Sequence, residues 1–520
     1  MYRKIFLNQC GYLPKMEKKV TFASDEPVSF AVLRSDGSVA FTGETDTKIE
    51  NAAAKEVNQI GDFTSLCEEG RFYILSKTLG ESETFTIGTD VYTELFQKSM
   101  KFFYLQRCGC ELPKDKAGDY AHEACHTAAA TIYGTDETRD VRGGWHDAGD
   151  YGRYVGPGAM TVAQLLMAYE HNEELAKAYP DYLEEVRYEI EWMMKMQRAD
   201  GALYHKVTCK QFCGFIMPQQ EKDELVISPV SVTATADFAA TLALAVPFYE
   251  KEEKEFADKL ATASKKAYEA LKNMDIPDGF VNPSEITTGE YGDKCDTDER
   301  YFAAAALYKT FGEKQYRLDF ENLAAEKIYH GYGWEDMGSY GNRAYLSTTF
   351  AADAALKERV EKEMIAVADT LLKKTEADGY ETALSKEEYI WGSNLSVANR
   401  GLQLMDAYRL TGDEKYQKAA AAQLHYLLGR NPMGVCYVTG CGTNSIKRPH
   451  HRPSGFVGKA MPGMLSGGPC NWLADELAKE LLPGAADAKC LLDMTGSYST
   501  NEVTIYWNSA LIELLLEVIA

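Results

Sequence analysis

Asp147 and Asp150 stand three residues apart in the run Gly143-Gly144-Trp145-His146-Asp147-Ala148-Gly149-Asp150-Tyr151. Two carboxyl groups held between glycines and beside a tryptophan suit the activation of water against a neutral sugar polymer. Glycine permits the tight backbone path, and Trp145 offers a flat apolar face of the kind that packs on a sugar ring. A surface turn with two solvated aspartates has the same local sequence. Two further clusters bear on the choice: Arg448-Pro449-His450-His451-Arg452-Pro453, and Tyr498-Ser499-Thr500-Asn501-Glu502 ahead of the last helical segment.

Glycoside hydrolysis requires one carboxyl group to protonate the leaving oxygen and a second to attack the sugar or activate water. Asp147, Asp150 and Glu502 are the candidates. Glu502 also reads as a first-turn acid after an Asn501 cap, where the helix dipole would lower its pKa. Burial beside Tyr498 and Trp507 would raise it and so suit a proton donor. His450 and Arg452 are candidate binders of sugar hydroxyls, since arginine brings five donors. The same two residues also fit a structural ion pair with a core histidine.

A second chemistry is metal ligation. Cys108, the adjacent Cys125 and His126, and His146 inside the aspartate run supply two thiolates and two imidazoles, a closed tetrahedral zinc set that is structural rather than catalytic. The spacing is not that of a zinc finger, and Cys110 and His122 compete for the same role. Such a site would pin the backbone next to Asp147 while the carboxylates face a cleft.

These residues need a large scaffold. The chain has 520 residues, 45% of them hydrophobic, and a formal net charge of −23. That charge argues against nucleic acid or an anionic membrane as partner. Twelve cysteines in a chain with no apolar leader at its N-terminus suggest reduced thiols, mostly buried, and metal ligation rather than disulfides. The same N-terminus leads to the expectation of a cytoplasmic protein, unless a leader has been removed. No run of about 18 apolar residues announces a membrane span.

Residues 1–89 read as short strands (KKVTFAS, VSFAVLRS, SVAFTGET, GRFYILS, ETFTIGT) of a small immunoglobulin-like β-sandwich without a Cys-Trp-Cys pattern. From residue 90 to 520 the period becomes helical. Segments near 158–178, 181–198, 232–251, 253–273, 298–311, 314–330, 357–375, 394–411, 413–428 and 503–519 follow the one near 91–109, with a weaker one near 344–356. They come mostly in pairs, as six hairpins of an all-α (α/α)6 barrel, or toroid, would. The fold class expected is therefore multidomain, a small β-sandwich followed by that barrel. Segments 99–157, 274–297 and 429–502 are the long non-helical stretches and carry the unusual clusters.

At these residues the chain resembles glycoside hydrolase family nine, the inverting cellulase family. GGWHDAGDYGRYV is similar to its catalytic-base segment. Gly442-Thr443-Asn444 through Pro449-His450-His451-Arg452 is similar to its histidine signature. Asp493, Tyr498, Glu502, Thr504, Asn508 and Ser509 have the spacing of its acidic signature, with Leu491 where an aromatic is usual and Trp507 where many members carry tyrosine. FLNQCGYLP, FFYLQRCG, EACHTAAATIYG, DGALYHKVT, WGSNLSVANR, HYLLGRNPMGVCYVTGCG and LSGGPCNWL resemble segments of the branch that carries an N-terminal immunoglobulin-like module.

The resemblance implies roles. Asp150 is expected as general base, Asp147 as the residue that helps to position the water, and Glu502 as general acid. His450 and Arg452 are expected on the same ground to bind sugar near the cleavage point, and Trp145, Tyr498, Trp507 and His205 are further candidates for substrate contact. Cys108, Cys125, His126 and His146 match the zinc ligands of the branch. Some members bind calcium, but Ser231–Asp237 lacks the acidic pair that some relatives use, so calcium receives no ligands here. Inversion places acid and base either side of a water, about 6.5–9.5 Å apart.

The expected activity is hydrolysis of β-1,4-glucosidic bonds in cellodextrins or short β-glucans. The alternative is an exo-β-D-glucosaminidase on chitosan oligosaccharides, and the remote one a sugar-binding protein that has lost catalysis. Trp334, Trp391, Trp472 and Tyr340 read equally as sugar platforms or core. Endo or exo action, linkage preference and oligomeric state are not written in the sequence.

Overall fold

A computed structural model describes residues 4–274 and 279–520. The chain divides into two compact units, Met1–Phe102 with Val367–Ala520, and Phe103–Ala366.

The first unit begins with a β-sandwich. One sheet has the order β1 (Ile5–Phe6), β2 (Lys19–Ala23), β6 (Glu56–Asp62), β5 (Thr47–Asn51). The other has β4 (Val39–Glu44), β3 (Ser29–Arg34), β7 (Gly70–Ser76), β8 (Gly80–Glu81), with β9 (Phe85–Ile87) also on β7. All the pairings within these two sheets are antiparallel. Alternation along the strands sends Val20, Phe22, Phe30, Val32, Phe72 and Ile74 into one core between the sheets. A register shift at Val32/Leu33 bends β3 where it leaves β4.

The sandwich is tied within its unit by polar contacts of low exposure. Thr21 Oγ1 donates to Gly379 O at 2.8 Å, and Asn51 Nδ2 to Asp378 Oδ2 at 2.9 Å. A Cβ at Gly379 would lie 2.2 Å from Asn58 Oδ1, so only glycine allows this approach. Helices Ser393–Thr411, Glu414–Leu427 and Ile505–Val518 pack together in the same unit.

The second unit has helices Val155–His171, Tyr182–Lys195, Val232–Tyr249, Lys254–Leu271, Thr297–Phe311, Lys314–Glu326 and Gly338–Leu346. A small sheet joins Arg153–Tyr154, Lys206–Thr208, Val226–Ile227, Ala130–Ile132 and Thr138–Arg139. Val232–Tyr249 is long and apolar enough to cross a membrane, against the sequence expectation that no such segment exists, but 83% of it is buried inside the protein. It is apolar all round because helices pack on several of its sides.

The weak helix expected near 344–356 lies earlier, at Gly338–Leu346. Ser347, Thr348 and Thr349 end it, and Asp353 accepts from Leu356 N at 2.8 Å to start the next helix, Ala354–Ala377. None of the twelve cysteines forms a disulfide.

Candidate active site

In the second unit, the aspartate run is held from behind by side chains that sequence reading did not single out. Gly143 and Gly144 take φ of 112° and 76°, and a Cβ on Gly144 would lie 2.6 Å from the Trp192 ring. Trp145 N donates to Glu189 Oε2 at 2.6 Å, and Trp145 Nε1 to Glu185 Oε1 at 2.8 Å. Arg107 forks onto the same Glu185. Gln106 Nε2 donates to the carbonyls of His146 and Ala148, and Gln106 O accepts from His146 N. Trp145 is thus fully buried and packed on Phe103. It is an anchor, and the expectation of a sugar platform there is corrected.

The two carboxyl groups have different surroundings. Asp147 is 1% exposed; its Oδ2 accepts from Tyr291 Oη at 2.6 Å, and its Oδ1 meets no protein donor. Burial, then the charge of Asp150, pushes the Asp147 carboxyl well above the usual range, and the Tyr291 hydrogen bond pulls it back. Asp150 Oδ2 accepts from Gly152 N at 2.9 Å. A Cβ at Gly152 would meet both Asp150 Oδ2 at 2.8 Å and Tyr154 Oη at 2.7 Å, so glycine makes room for the carboxylate. Tyr291 stands at φ 47°, a region a bulky residue seldom enters, with its ring against Tyr154 and Trp334.

His205 is 2% exposed, stacked on Phe280, with Nδ1 on Ser231 Oγ and Nε2 on Glu290 O. Both ring nitrogens are engaged inside the protein, which corrects its assignment as a substrate contact.

Behind the aspartates, the ligand atoms of Cys108, Cys125, His126 and His146 all lie within 4.8 Å of one another. A zinc tetrahedron has N–N edges of about 3.4 Å and S–N edges of about 3.6 Å. His146 Nε2 to His126 Nδ1 is 3.4 Å, and Cys108 Sγ to His126 Nδ1 is 3.6 Å. Cys125 Sγ to His146 Nε2 is 4.0 Å. Burial opposes ionisation of Cys108, but its contact with Cys125, Arg153 and the two imidazoles outweigh burial and hold the thiol well below its usual range. His126 Nε2 pairs with Glu221 Oε2 at 2.8 Å, which turns Nδ1 toward the cluster. Cys110 and His122 fall outside this group, and His122 Nδ1 bonds Glu123 O instead.

A second set of buried acids was missed. Asp293, Asp298 and Glu299 bring ligand oxygens within 4.8 Å of one another, and Asp237 lies close enough to help raise the pKa of Glu299. Glu299 Oε1 and Oε2 and Asp237 Oδ1 are buried without a hydrogen-bond donor. Burial pushes Asp298 up to about 7 and Glu299 well above the carboxylate range. The donor set is all oxygen, which fits a hard cation such as calcium.

In the first unit, His450 and Glu502 lie side by side in a parallel bridge, with His450 N donating to Asn501 O at 2.8 Å. Asn501 Nδ2 donates to Arg448 O, and Gly467 N to Glu502 O. His450 Nδ1 faces Thr495 O at 2.7 Å, so Nδ1 carries the proton and Nε2 is the acceptor nitrogen. Burial holds this imidazole down to about 4. Asp475 Oδ2 takes Ser497 Oγ, Ser499 N and Ser499 Oγ, fixing the turn before the acid.

Glu502 is half-buried and extended at φ −70°, ψ 168°. The cap of the last helix, Ile505–Val518, is Thr504 and not Asn501, so Glu502 lies outside the first turn and escapes the dipole effect expected of it. Tyr498 is 37% exposed, 5.9 Å from the His450 ring and 5.3 Å from Trp391, itself 37% exposed. These two rings form an open aromatic face. Trp507 does not: it is buried, and a Cβ on Gly467 or Gly392 would lie 2.8 or 3.1 Å from its ring. Trp507 fills the floor under these glycines rather than presenting a ring to solvent. Arg452 opens helix Arg452–Val457 and is 7% exposed.

Comparison with known proteins gives a consistent set of relatives. Residues 92–515 match the family model described as glycosyl hydrolase family 9, and residues 2–81 match the cellulase N-terminal ig-like domain. A cellodextrinase of Butyrivibrio fibrisolvens is 37% identical over 546 residues, covering 98% of each chain. Endoglucanase D of Acetivibrio thermocellus is 36% identical, covering 98% of this chain and 83% of its own. A thermostable endoglucanase from Alicyclobacillus acidocaldarius superimposes with a TM-score of 0.95 at 34% identity, covering 99% of each chain. The fold class is the β-sandwich followed by an (α/α)6 barrel that these relatives carry.

Proposed function

The chain belongs to glycosyl hydrolase family 9 and is an inverting hydrolase of β-1,4-glucosidic bonds; on that premise we propose that Asp150 is its base, Asp147 the residue that orients the water, and Glu502 its acid, acting on cellodextrins and short β-glucans. The observation that carries the reading is the asymmetry of the aspartate pair. Asp147 is buried and its ionisation is disfavoured, while Asp150 receives a backbone N–H that favours its charge. Two carboxyl groups in such different surroundings can share one water, one orienting it and the other taking its proton.

Glu502 would donate its proton to the glycosidic oxygen as the bond to the anomeric carbon breaks. The water attacks that carbon from the opposite face, so the β-linked sugar leaves as the α-anomer. His450 Nε2 accepts a hydrogen bond from a sugar hydroxyl, and Trp391 with Tyr498 gives the sugar face an apolar surface.

The Cys108, Cys125, His126 and His146 set fits zinc by its donors and edges. Zinc bound there would supply structural cross-linking of three chain segments and no acid–base chemistry, because all four positions belong to the protein. The Asp293, Asp298 and Glu299 set, with Asp237 near it, fits calcium by its all-oxygen donors, several of them buried without a hydrogen-bond donor.

Cellotetraose and chitotetraose assayed side by side test the substrate. Cellotetraose is expected to be cleaved and chitotetraose not. Turnover of the amino sugar alone would overturn the assignment.

A further inference from the structure

Of the aromatic residues that read equally as sugar platforms or core, the structure leaves one without a use. Tyr340 is core, with no exposure, and Trp334 is half-buried against Tyr291. Trp391 belongs to the open face it shares with Tyr498. Trp472 is 59% exposed, more than either of those two rings, and the reaction above does not call on it. A tryptophan left in water forgoes the stabilisation that burial would give it.

The backbone sets this ring on the same rim. Segments 389–394 and 467–471 run side by side in opposite directions. Asn471 N donates to Tyr389 O at 2.7 Å, Ser393 Oγ to Pro469 O at 2.8 Å, and Asn394 N to Gly467 O at 3.0 Å. That register places Trp391 across from Cys470, two residues before Trp472. On the other side Tyr498 Oη donates to Ala474 O at 3.3 Å, two residues after it. Two residues of chain reach about 7 Å at most, so Trp472 stands close to the anchor of each ring. The turn that carries it is fixed at both ends. Asn471 Nδ2 holds Asp487 Oδ1 at 3.1 Å, and Asp475 Oδ1 accepts from Ala478 N at 2.8 Å as the cap of helix Glu476–Leu481. Between them Leu473 takes φ 47°, which a leucine adopts only where its surroundings enforce it. The tryptophan is thus held out on a rigid turn, and little ordering remains for a ligand to impose.

Resting on the reading of Glu502 as acid and of cellodextrins as substrate, we propose that Trp472 is a further sugar-binding platform, stacking on a glucosyl unit beyond those at Trp391 and Tyr498. The occupant follows from continuity with that face. A β-1,4-glucan is an extended ribbon with apolar C–H groups on its ring faces and hydroxyls along its edges. A chain laid on two rings of one rim continues over the third. Trp472 meets no reacting atom, so its contact is equally strong before and during bond cleavage. It lowers KM for long chains and leaves kcat alone.

The test is kcat and KM on each cellodextrin from cellotriose to cellohexaose for the intact chain and its W472A and W472F variants. W472A is expected to raise KM on cellohexaose about 3- to 10-fold, the worth of one aromatic contact, with kcat nearly unchanged. The effect is expected to shrink as the substrate is shortened, and W472F to recover much of it. An unmoved KM at every length overturns the proposal, and a wild-type dimer that W472A dissolves would then give the ring to a second copy of this chain. An equal rise at every length also overturns it, by tracing the effect to a disturbed fold. Should W472A fail to fold, W472F against W472L decides, since only phenylalanine offers a flat face; equal KM values on cellohexaose overturn the idea. E502Q in the same series separates the two readings. Wild-type kcat in E502Q would refute the acid assignment and leave the length dependence of W472A standing.

Discussion

Tyr291 shows how much of the site rests on single residues. It donates to Asp147 Oδ2 from a backbone at φ 47°. Such a conformation costs of order 1–3 kcal/mol and persists only where its surroundings enforce it. Here the Tyr154 and Trp334 rings enforce it, and the hydrogen bond is what the strain secures. Removing the hydroxyl while keeping the ring should raise the Asp147 pKa further and loosen its hold on the water. Y291F is expected to lower kcat by about 10- to 100-fold, the worth of a hydrogen bond to a charged group, with KM nearly unchanged. Wild-type kcat in Y291F would remove Tyr291 from the machinery. Sequence reading found the paired aspartates because spacing displays them. It passed over Tyr291, which stands alone in a loop with no period and no neighbour to mark it.

At the scale of elements, the aspartate run is a loop made rigid from behind. Glu185 and Glu189 come from helix Tyr182–Lys195 and hold Trp145 by its two N–H groups. Gln106 clamps His146 and Ala148. The cysteine–histidine cluster closes the same loop through His146. We therefore expect one tightly held zinc per chain, and a lower Tm and lower activity after it is stripped, both restored by zinc and not by magnesium. Metal analysis of unchelated protein that finds no zinc would remove the site. The cysteine–histidine cluster was legible as a candidate because the resemblance covers the runs that hold Cys108, Cys125, His126 and His146. The use of Trp145 was not legible, because a tryptophan beside two aspartates looks the same whether its face meets sugar or Phe103. Glu502 was misplaced by one turn for a similar reason. Asn501 and Thr504 are both good caps, and only the backbone decides that Thr504 is used. The strands of the sandwich and the paired helices were legible from period alone, and the boundary near residue 346 was not, since Gly338–Leu346 has a glycine-rich start.

At the scale of the whole molecule, the net charge of −23 includes four acids in the Asp237–Glu299 cluster, gathered from residues up to 62 positions apart. The expectation of calcium had no ligands because Ser231–Asp237 lacks an acidic pair, and three of the four acids come instead from residues 293–299. Their pKa values are raised in the folded state, so the folded protein binds more protons than the unfolded chain between the ordinary carboxylate range and the Asp298 value of about 7. Stability without a cation therefore falls as pH rises through that window. Calcium added to chelated protein is expected to raise Tm more at pH 7.5 than at pH 5, and the E299Q variant to lose most of that gain. Equal stabilisation at both pH values would speak against the cluster as the binding site. The claim on which all of this depends is a direct attack by water, with Asp150 as base and Glu502 as acid. The most direct test is proton NMR of cellotetraose during the first minutes of hydrolysis, before mutarotation. The new reducing end should appear as the α-anomer, and its appearance as the β-anomer would contradict the mechanism.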